Sequence, residues 1–236
     1  MQTFAALLFA HVLADFVLQN DWMVRCKRKP QVLLLHGAIV LVTAQLAMGH
    51  YSAWPLLALA GAHLVIDAIK VNVFKGPPLW PFLGDQAAHF ATLATVAAFF
   101  PTLWLDGLGA DVNWLPSVMT IIAGLILTTR AGSFAIGFLM APWASTDLPE
   151  GLENGGNLIG ILERGLIFLL VMVGQPAGVG FLIAAKSILR FDTAKGDQKA
   201  GEYVIIGTLA SFGWALMCGY GTLAVLEHLP KLGILP

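Results

Sequence analysis

Histidine and aspartate are paired at a spacing of four residues in three apolar stretches of this chain. The pairs are His11/Asp15, His63/Asp67 and Asp85/His89. Side chains four residues apart lie on the same face of a helix, so the spacing predicts that the two groups of each pair meet. An ionisable side chain at the centre of a bilayer costs roughly 2.5–3.5 kcal/mol on insertion scales, so three such pairs indicate a function.

Imidazole and carboxylate together are the ligands of many zinc, manganese and iron sites. We therefore predict a bound divalent transition metal (zinc, manganese or iron) whose ligands are His11, His63 and His89. Asp15, Asp67 and Asp85 are predicted to be further ligands or to contact the ligands, and the set could hold one ion or two ions close together. His36 lies in another apolar stretch and is predicted to be a further ligand or a general base. Catalytic roles are predicted for His36, Asp15 and Asp67. The metal that they surround would lower the pKa of a bound water to about 7 and would polarise an ester or phosphoester.

Two other interpretations of the pairs stay open. A histidine and an aspartate one turn apart can hydrogen-bond to each other and to a neighbouring helix, which stabilises a bundle without any chemistry. Chains of such groups also form proton and ion pathways in transporters. A transporter needs polar groups at both membrane faces, and the outer helix ends of this chain carry few. The hydrolase hypothesis therefore ranks above a transporter or ion pathway, and both rank above a structural or accessory membrane subunit.

The composition is typical of a membrane protein. Of the 236 residues, 58% are hydrophobic and only 11% are charged, and the mean hydropathy is +0.79. A soluble domain carries about a quarter charged residues. The formal net charge is −1, and the sequence has no basic patch interleaved with aromatic residues, so nucleic acid is not an expected partner. The expected partner is the lipid bilayer.

The chain divides into eight apolar segments, each close to the roughly 20 residues that cross a bilayer. They cover residues 3–20, 31–49, 54–73, 85–105, 115–141, 158–174, 176–191 and 202–225. The predicted fold is an all-α, polytopic transmembrane bundle of about eight spans that forms one membrane domain. Residues 1–105 make a four-helix half with the His/Asp pairs, and residues 106–236 make a second four-helix half. The glycine and serine at 132–133 leave open whether segment 115–141 is one helix or two half-helices.

Basic residues predict the orientation in the membrane. The first loop contains Arg25, Lys27, Arg28 and Lys29. By the positive-inside rule this loop is cytosolic, and with eight spans both termini lie outside. The three His/Asp pairs then share a layer roughly 10–15 Å thick near the cytosolic face.

A second set of charged residues lies near the same predicted face, in the second half of the chain. We predict that these residues bind a substrate anion, such as an anionic lipid or another phosphate-bearing substrate. They are Arg164, Lys186, Arg190 and Glu202. The alternative is that they cap helix ends, contact anionic lipid and pair with acidic neighbours such as Glu163.

Several of these motifs are similar to those of a known family. The chain resembles a bacterial family of multispanning membrane proteins of unknown function in the runs 11–23 (HVLADFVLQNDWM), 63–70 (HLVIDAIK) and 85–89 (DQAAH). It looks like the longer members of that family in the runs 163–164, 185–191 and 202–208. A looser similarity, in residue types alone, links it to inner-membrane metal-dependent hydrolases. These resemblances imply a multi-pass protein of the bacterial inner membrane. We therefore expect a membrane-embedded, metal-dependent hydrolase that acts at the cytosolic membrane face on a lipid or phosphoester.

Overall fold

The computed structural model describes residues 1–73, 77–143, 154–190 and 198–232, without the side chains of residues 189, 190 and 200. Within these ranges the regular structure is entirely helical. The α-helices are α1 (Gln2–Leu13), α2 (Asp21–Cys26), α3 (Pro30–Met48), α4 (Trp54–Val73), α5 (Leu79–Phe99), α6 (Leu115–Ile126), α7 (Gly132–Met140), α8 (Gly155–Met172), α9 (Gly178–Arg190) and α10 (Gln198–Leu226). The predicted all-α fold is confirmed.

Local sequence signals set several helix ends. The side chain of Asn20 caps α2 by accepting a hydrogen bond of 2.9 Å from the backbone N–H of Met23, as N-cap residues do. Pro30 opens α3, where its missing N–H leaves no helical bond unmade. Gly49 ends α3 in the left-handed conformation at φ +65°, and a Cβ there would lie 2.7 Å from the backbone nitrogen of Leu108. Only glycine fits that position without a backbone shift.

Two π-helical turns interrupt the α-helical hydrogen bonding. One continues α1 over Ala14–Leu18, and the other joins α6 to α7 over Leu127–Ala131. The stretch Leu115–Trp143 is therefore continuously helical, which answers the open question about this segment in favour of one helix. A π-helical turn changes the direction of the side chains around it, and such turns are frequent at functional sites.

Among the described residues, five helical stretches are long and apolar enough to cross a membrane. They are Pro30–Met48, Trp54–Val73, Leu115–Trp143, Gly155–Met172 and Gly201–Leu226. Two shorter apolar helices cover Gln2–Leu18 and Gly178–Ile188. These helices indicate a membrane protein, as predicted, while the number of eight spans stays a prediction. Helix α5 begins at Leu79 rather than at the predicted residue 85, so Asp85 lies in its second turn and not at its start.

The chain forms two compact units. The first, unit 1, comprises Met1–Ile126 and Ala224–Leu232. Helix α1 lies at its centre, because it packs against α3, α5 and α6, and its residues Ala5, Ala6 and Val12 are completely buried. A helix that is apolar and buried on all sides forms the core of its unit. Helix α4 packs against α3 and α5, so α1, α3, α4 and α5 enclose a common interior.

The second unit, unit 2, covers Leu127–Leu223 in the described part of the chain. Helix α8 packs against α7, against α9 and against the π-helical turn at Leu127–Ala131. Its buried apolar core contains Ile167, Val179, Phe212 and Ala215. The predicted division into halves at residue 105 stays a prediction.

Candidate metal centre

Four helices of unit 1 bring seven ionisable side chains into one buried group, which we call the His/Asp cluster. Its members are His11, Asp15, His36, His63, Asp67, Asp85 and His89. Each side chain is at most 6% exposed. The three pairs predicted from the spacing therefore meet each other and also meet His36. The distances between carboxylate oxygens and imidazole nitrogens differ from one part of the cluster to another.

The tightest arrangement joins Asp15, His36 and His63. The Nε2 atoms of the two histidines are 3.1 Å apart. The Oδ1 atom of Asp15 lies 3.3 Å from the His36 nitrogen and 3.4 Å from the His63 nitrogen. These three atoms form a nearly equilateral triangle, which we call the Asp15 triangle.

Asp67 completes a second triangle on the same two histidines. Its Oδ2 atom lies 3.5 Å from Nε2 of His36 and 3.4 Å from Nε2 of His63. The two triangles share the edge between the histidines. Two imidazole nitrogens therefore each have two carboxylate oxygens from different helices within 3.5 Å.

Several polar atoms of the cluster are buried without a hydrogen-bond partner. They include Oδ1 of Asp15, Oδ2 of Asp67, Oδ1 of Asp85 and both ring nitrogens of His89. Buried polar atoms are normally paired, and carboxylate oxygens and imidazole nitrogens are also the atoms that bind transition metals.

Two lysines bind the outer side of the cluster. Nζ of Lys27 lies 2.7 Å from Oδ1 of Asp67, and Nζ of Lys70 lies 2.7 Å from Oδ2 of Asp85. Gln86 donates from Nε2 to the same Asp85 oxygen at 3.2 Å. Both distances to the ammonium groups are those of charge-assisted hydrogen bonds. Asp67 and Asp85 are therefore each oriented by a lysine.

The predicted ligand trio of His11, His63 and His89 is also brought together, with one nitrogen from each within 4.8 Å of the others. The rings of His63 and His89 stack at 3.9 Å between centroids. Nε2 of His11 lies 3.3 Å from Oε1 of Gln86. This trio lines a small cavity whose other walls are mostly apolar. The buried His/Asp groups can hold a metal ion, and the Asp15 triangle is the most compact of them.

The pattern of pairs did not reveal every contact of the cluster. Lys27, Lys70 and Gln86 are the residues that were missed as site residues, although the last two lie on the same helices as the pairs. The four-residue spacing of His11 and Asp15 does bring the two side chains together, with Oδ1 of Asp15 3.9 Å from Nδ1 of His11, but Asp15 lies in the π-helical turn. Its shorter contacts are to His36 and His63.

In unit 2, the predicted anion-binding residue Arg164 makes structural contacts. Its Nε donates to the carbonyl oxygen of Thr128 at 3.0 Å, and its Nη2 donates to that of Thr129 at 3.0 Å. Nη1 and Nη2 also donate to the hydroxyl oxygens of Ser211 and Ser133, at 3.1 and 2.6 Å. Arg164 is only 2% exposed, so its guanidinium supports the π-helical turn from within the protein.

The other predicted anion-binding residues are not gathered around Arg164. Nζ of Lys186 pairs with Oε2 of Glu163 at 2.6 Å, and Glu202 accepts a hydrogen bond from Gln198 at 2.8 Å. The side chain of Arg190 lies outside the described residues. These contacts match the alternative of ion pairing better than a shared anion pocket, and the anion-binding role stays a prediction.

One family model matches the stretch of the chain that carries the cluster. Residues 3–107 match the model of a family described as "Protein of unknown function (DUF3307)". This stretch is similar to that family, and it contains the whole His/Asp cluster together with Lys27, Lys70 and Gln86. No curated protein and no solved structure matches the chain.

Proposed function

We propose that the protein is a membrane-embedded, metal-dependent hydrolase whose divalent transition metal is held by the Asp15 triangle. The observation that carries the proposal is the size of that triangle, with edges of 3.1, 3.3 and 3.4 Å. Zinc binds nitrogen and oxygen ligands at roughly 2.0–2.2 Å, so two ligands of a tetrahedral site lie roughly 3.3–3.6 Å apart. The three atoms already have nearly the spacing of one face of such a tetrahedron.

The chemistry of the ligands also fits a catalytic metal. Two histidines and one carboxylate are a ligand set found in catalytic zinc sites and in non-haem iron sites, and both keep coordination positions open. Asp67 can provide a fourth ligand through Oδ2 or accept a proton from a bound water. The predicted roles of His11, Asp85 and His89 as ligands become outer contacts in this proposal.

The charge of the cluster is a further support. The cluster contains three carboxylates, two of which pair with the ammonium groups of Lys27 and Lys70. Its four histidines add no charge in their neutral form. The cluster therefore has an excess of one negative charge in a buried setting, where unpaired charge is expensive. A divalent cation bound together with a hydroxide would balance that excess.

We further propose that the site lies near the cytosolic face of a bacterial inner membrane, with both termini outside. The basic residues between α1 and α3 support this orientation. The cluster residues lie within about the first three turns from the helix ends at that side. The proposed substrate is a lipid or phosphoester that reaches the metal from the membrane interface.

The test is metal-dependent hydrolysis by the purified protein in lipid nanodiscs. Chelated protein should be inactive towards phosphoester and lipid ester substrates, and adding Zn²⁺, Mn²⁺ or Fe²⁺ should restore activity in the wild type but not in His36→Ala. The matched control is His228→Ala, an exposed histidine outside the cluster whose Nδ1 lies 2.9 Å from the carbonyl oxygen of Ala224. Hydrolysis that survives chelation, or that is equal in His36→Ala, would contradict the proposal.

An ion or proton pathway is the second candidate function. It is supported by a continuous chain of His and Asp side chains, in which each group lies within 4.0 Å of the next. The order of the groups is His11, Asp15, His63, Asp67, His89 and Asp85. Liposomes containing the protein should then show an ion or proton flux that His63→Ala abolishes. A flux equal to that of protein-free liposomes would reject this candidate.

A further inference from the structure

We propose that Lys27 and Lys70 act as tethered cations that close one end of the His/Asp cluster to a second divalent ion. The cluster then takes a single metal at the Asp15 triangle, although it has ligands for two. This inference rests on the proposed function and adds the residues that set the number of metal ions. Its basis is a comparison of the two ends of the cluster.

The end opposite Asp15 has a ligand set of its own. Nε2 of His89 lies 3.4 Å from Oδ1 of Asp85 and 4.0 Å from Oδ1 of Asp67. The Asp85 oxygen and the His89 nitrogen are buried and have no hydrogen-bond partner. These residues can hold an ion by the same chemistry as the first site. The arrangement differs in its wider spacing.

The two lysines bind carboxylate oxygens that a second metal ion would need as ligands. Lys27 binds Oδ1 of Asp67 at 2.7 Å, which is the oxygen that faces His89. Lys70 binds the second oxygen of Asp85, also at 2.7 Å, and so neutralises that carboxylate. An ammonium group and a divalent ion compete for the same carboxylate oxygens. Two positive charges bound to one carboxylate also repel each other strongly in a buried site.

Among the described residues, no lysine or arginine is paired with Asp15. Within the described part of the chain its ion-pair contacts are to His11, His36 and His63 alone. Its carboxylate is therefore available to a metal, whereas Asp67 Oδ1 and Asp85 Oδ2 are already paired. Asp67 can still use Oδ2 toward the first site. The distribution of lysines thus favours one metal ion over two.

The experiment counts bound Mn²⁺ in the full-length protein after saturation and removal of free ion. Lys27→Met and Lys70→Met keep most of the length of the side chain and remove its charge. We expect about one ion per chain in the wild type and about two in each variant, with the two ions close enough to couple magnetically, as in known two-metal sites. Electron paramagnetic resonance of the Mn²⁺ protein detects that coupling. Lys27→Arg keeps the charge, and the exposed neighbour changed in Lys29→Met is the matched control; both should bind as the wild type does.

The outcomes separate this inference from the proposed function. Two coupled ions in the wild type, or no additional ion in either methionine variant, would overturn the inference and leave a metal centre in place. A wild type without any ion would contradict the proposed function, while an ion gained by a methionine variant over the wild type would still support the inference.

Lys27→Met leaves Asp67 buried without its ammonium partner, so it is purified with Mn²⁺ present. Lys70→Met is the second variant, because the Lys70 side chain is already 29% exposed.

Discussion

The two units each bury charged groups beside a π-helical turn, but they satisfy them differently. In unit 2, all three nitrogens of the Arg164 guanidinium donate to protein oxygens. In unit 1, Oδ1 of Asp15 lies within 3.5 Å of the Nε2 atoms of His36 and His63 and has no hydrogen-bond partner among the described residues. A charge with all its partners present stabilises the fold, whereas a set of unpaired lone-pair donors is suited to binding a ligand.

The surrounding residues show the same difference. Gly132 and Gly160 give Arg164 its space, because a Cβ at either position would lie 2.8 or 2.9 Å from the guanidinium nitrogens. The two glycines therefore leave room for the hydrogen bonds of the Arg164 guanidinium. In the His/Asp cluster, Lys27 and Lys70 instead hold two carboxylates from outside and leave their other oxygens facing the histidines. The comparison therefore predicts opposite results for mutations in the two units.

The largest expected effect is the loss of metal in His63→Ala. His63 contributes one of the two nitrogens shared by both triangles, so its removal should weaken metal binding by about 100-fold or more, beyond the loss typical of outer contacts. Calorimetric titration with Zn²⁺ measures this change. An affinity within a few-fold of the wild type would show that the metal does not bind at the shared edge.

The next effect is on stability, in Arg164→Met. Removing four hydrogen bonds, each worth about 0.6–1 kcal/mol in a membrane protein, should lower the free energy of unfolding by about 2–4 kcal/mol. Metal affinity should stay unchanged, because Arg164 belongs to unit 2. Denaturation in detergent together with metal titration tests both parts. A variant with normal stability but impaired binding would reverse the comparison between the units.

A smaller effect is expected for Asp15→Asn. The amide keeps the shape of the side chain but removes the one carboxylate of the cluster whose ion pairs in the described structure are to histidine alone. Metal affinity should fall by about 10–100-fold while stability changes by less than about 1 kcal/mol. Metal titration and thermal unfolding of the same sample measure the two quantities. A large loss of stability with unchanged affinity would assign Asp15 a structural role.

The smallest effect is expected for Gln86→Ala. Gln86 contacts His11 and Asp85 but neither triangle, so metal affinity should change by less than about 3-fold and stability by about 0.6 kcal/mol per lost bond. The same titration and unfolding experiments apply. A loss of affinity as large as that of Asp15→Asn would indicate that the metal binds near His11 and Asp85 instead of at the Asp15 triangle.

The sequence predicted the helical fold and the meeting of its three His/Asp pairs, because periodic spacing determines which side chains share a helix face. It also placed His36 with the pairs. It did not predict that Asp15 turns towards His36 and His63, since a π-helical turn has no clear sequence signal. The bonds of Lys27 to Asp67 and of Arg164 to Thr128 join distant parts of the chain, and such contacts depend on helix packing rather than on local spacing.

The central claim is that the Asp15 triangle binds a divalent transition metal. Metal analysis of the purified wild type beside the double variant Asp15→Ala/His36→Ala tests it most directly, with equal secondary structure of the two proteins as the control. We expect about one equivalent of zinc, manganese or iron in the wild type and none in the double variant. A wild type that carries no metal and takes up none from a Zn²⁺, Mn²⁺ or Fe²⁺ solution, or a double variant with an equal metal content, would contradict the claim.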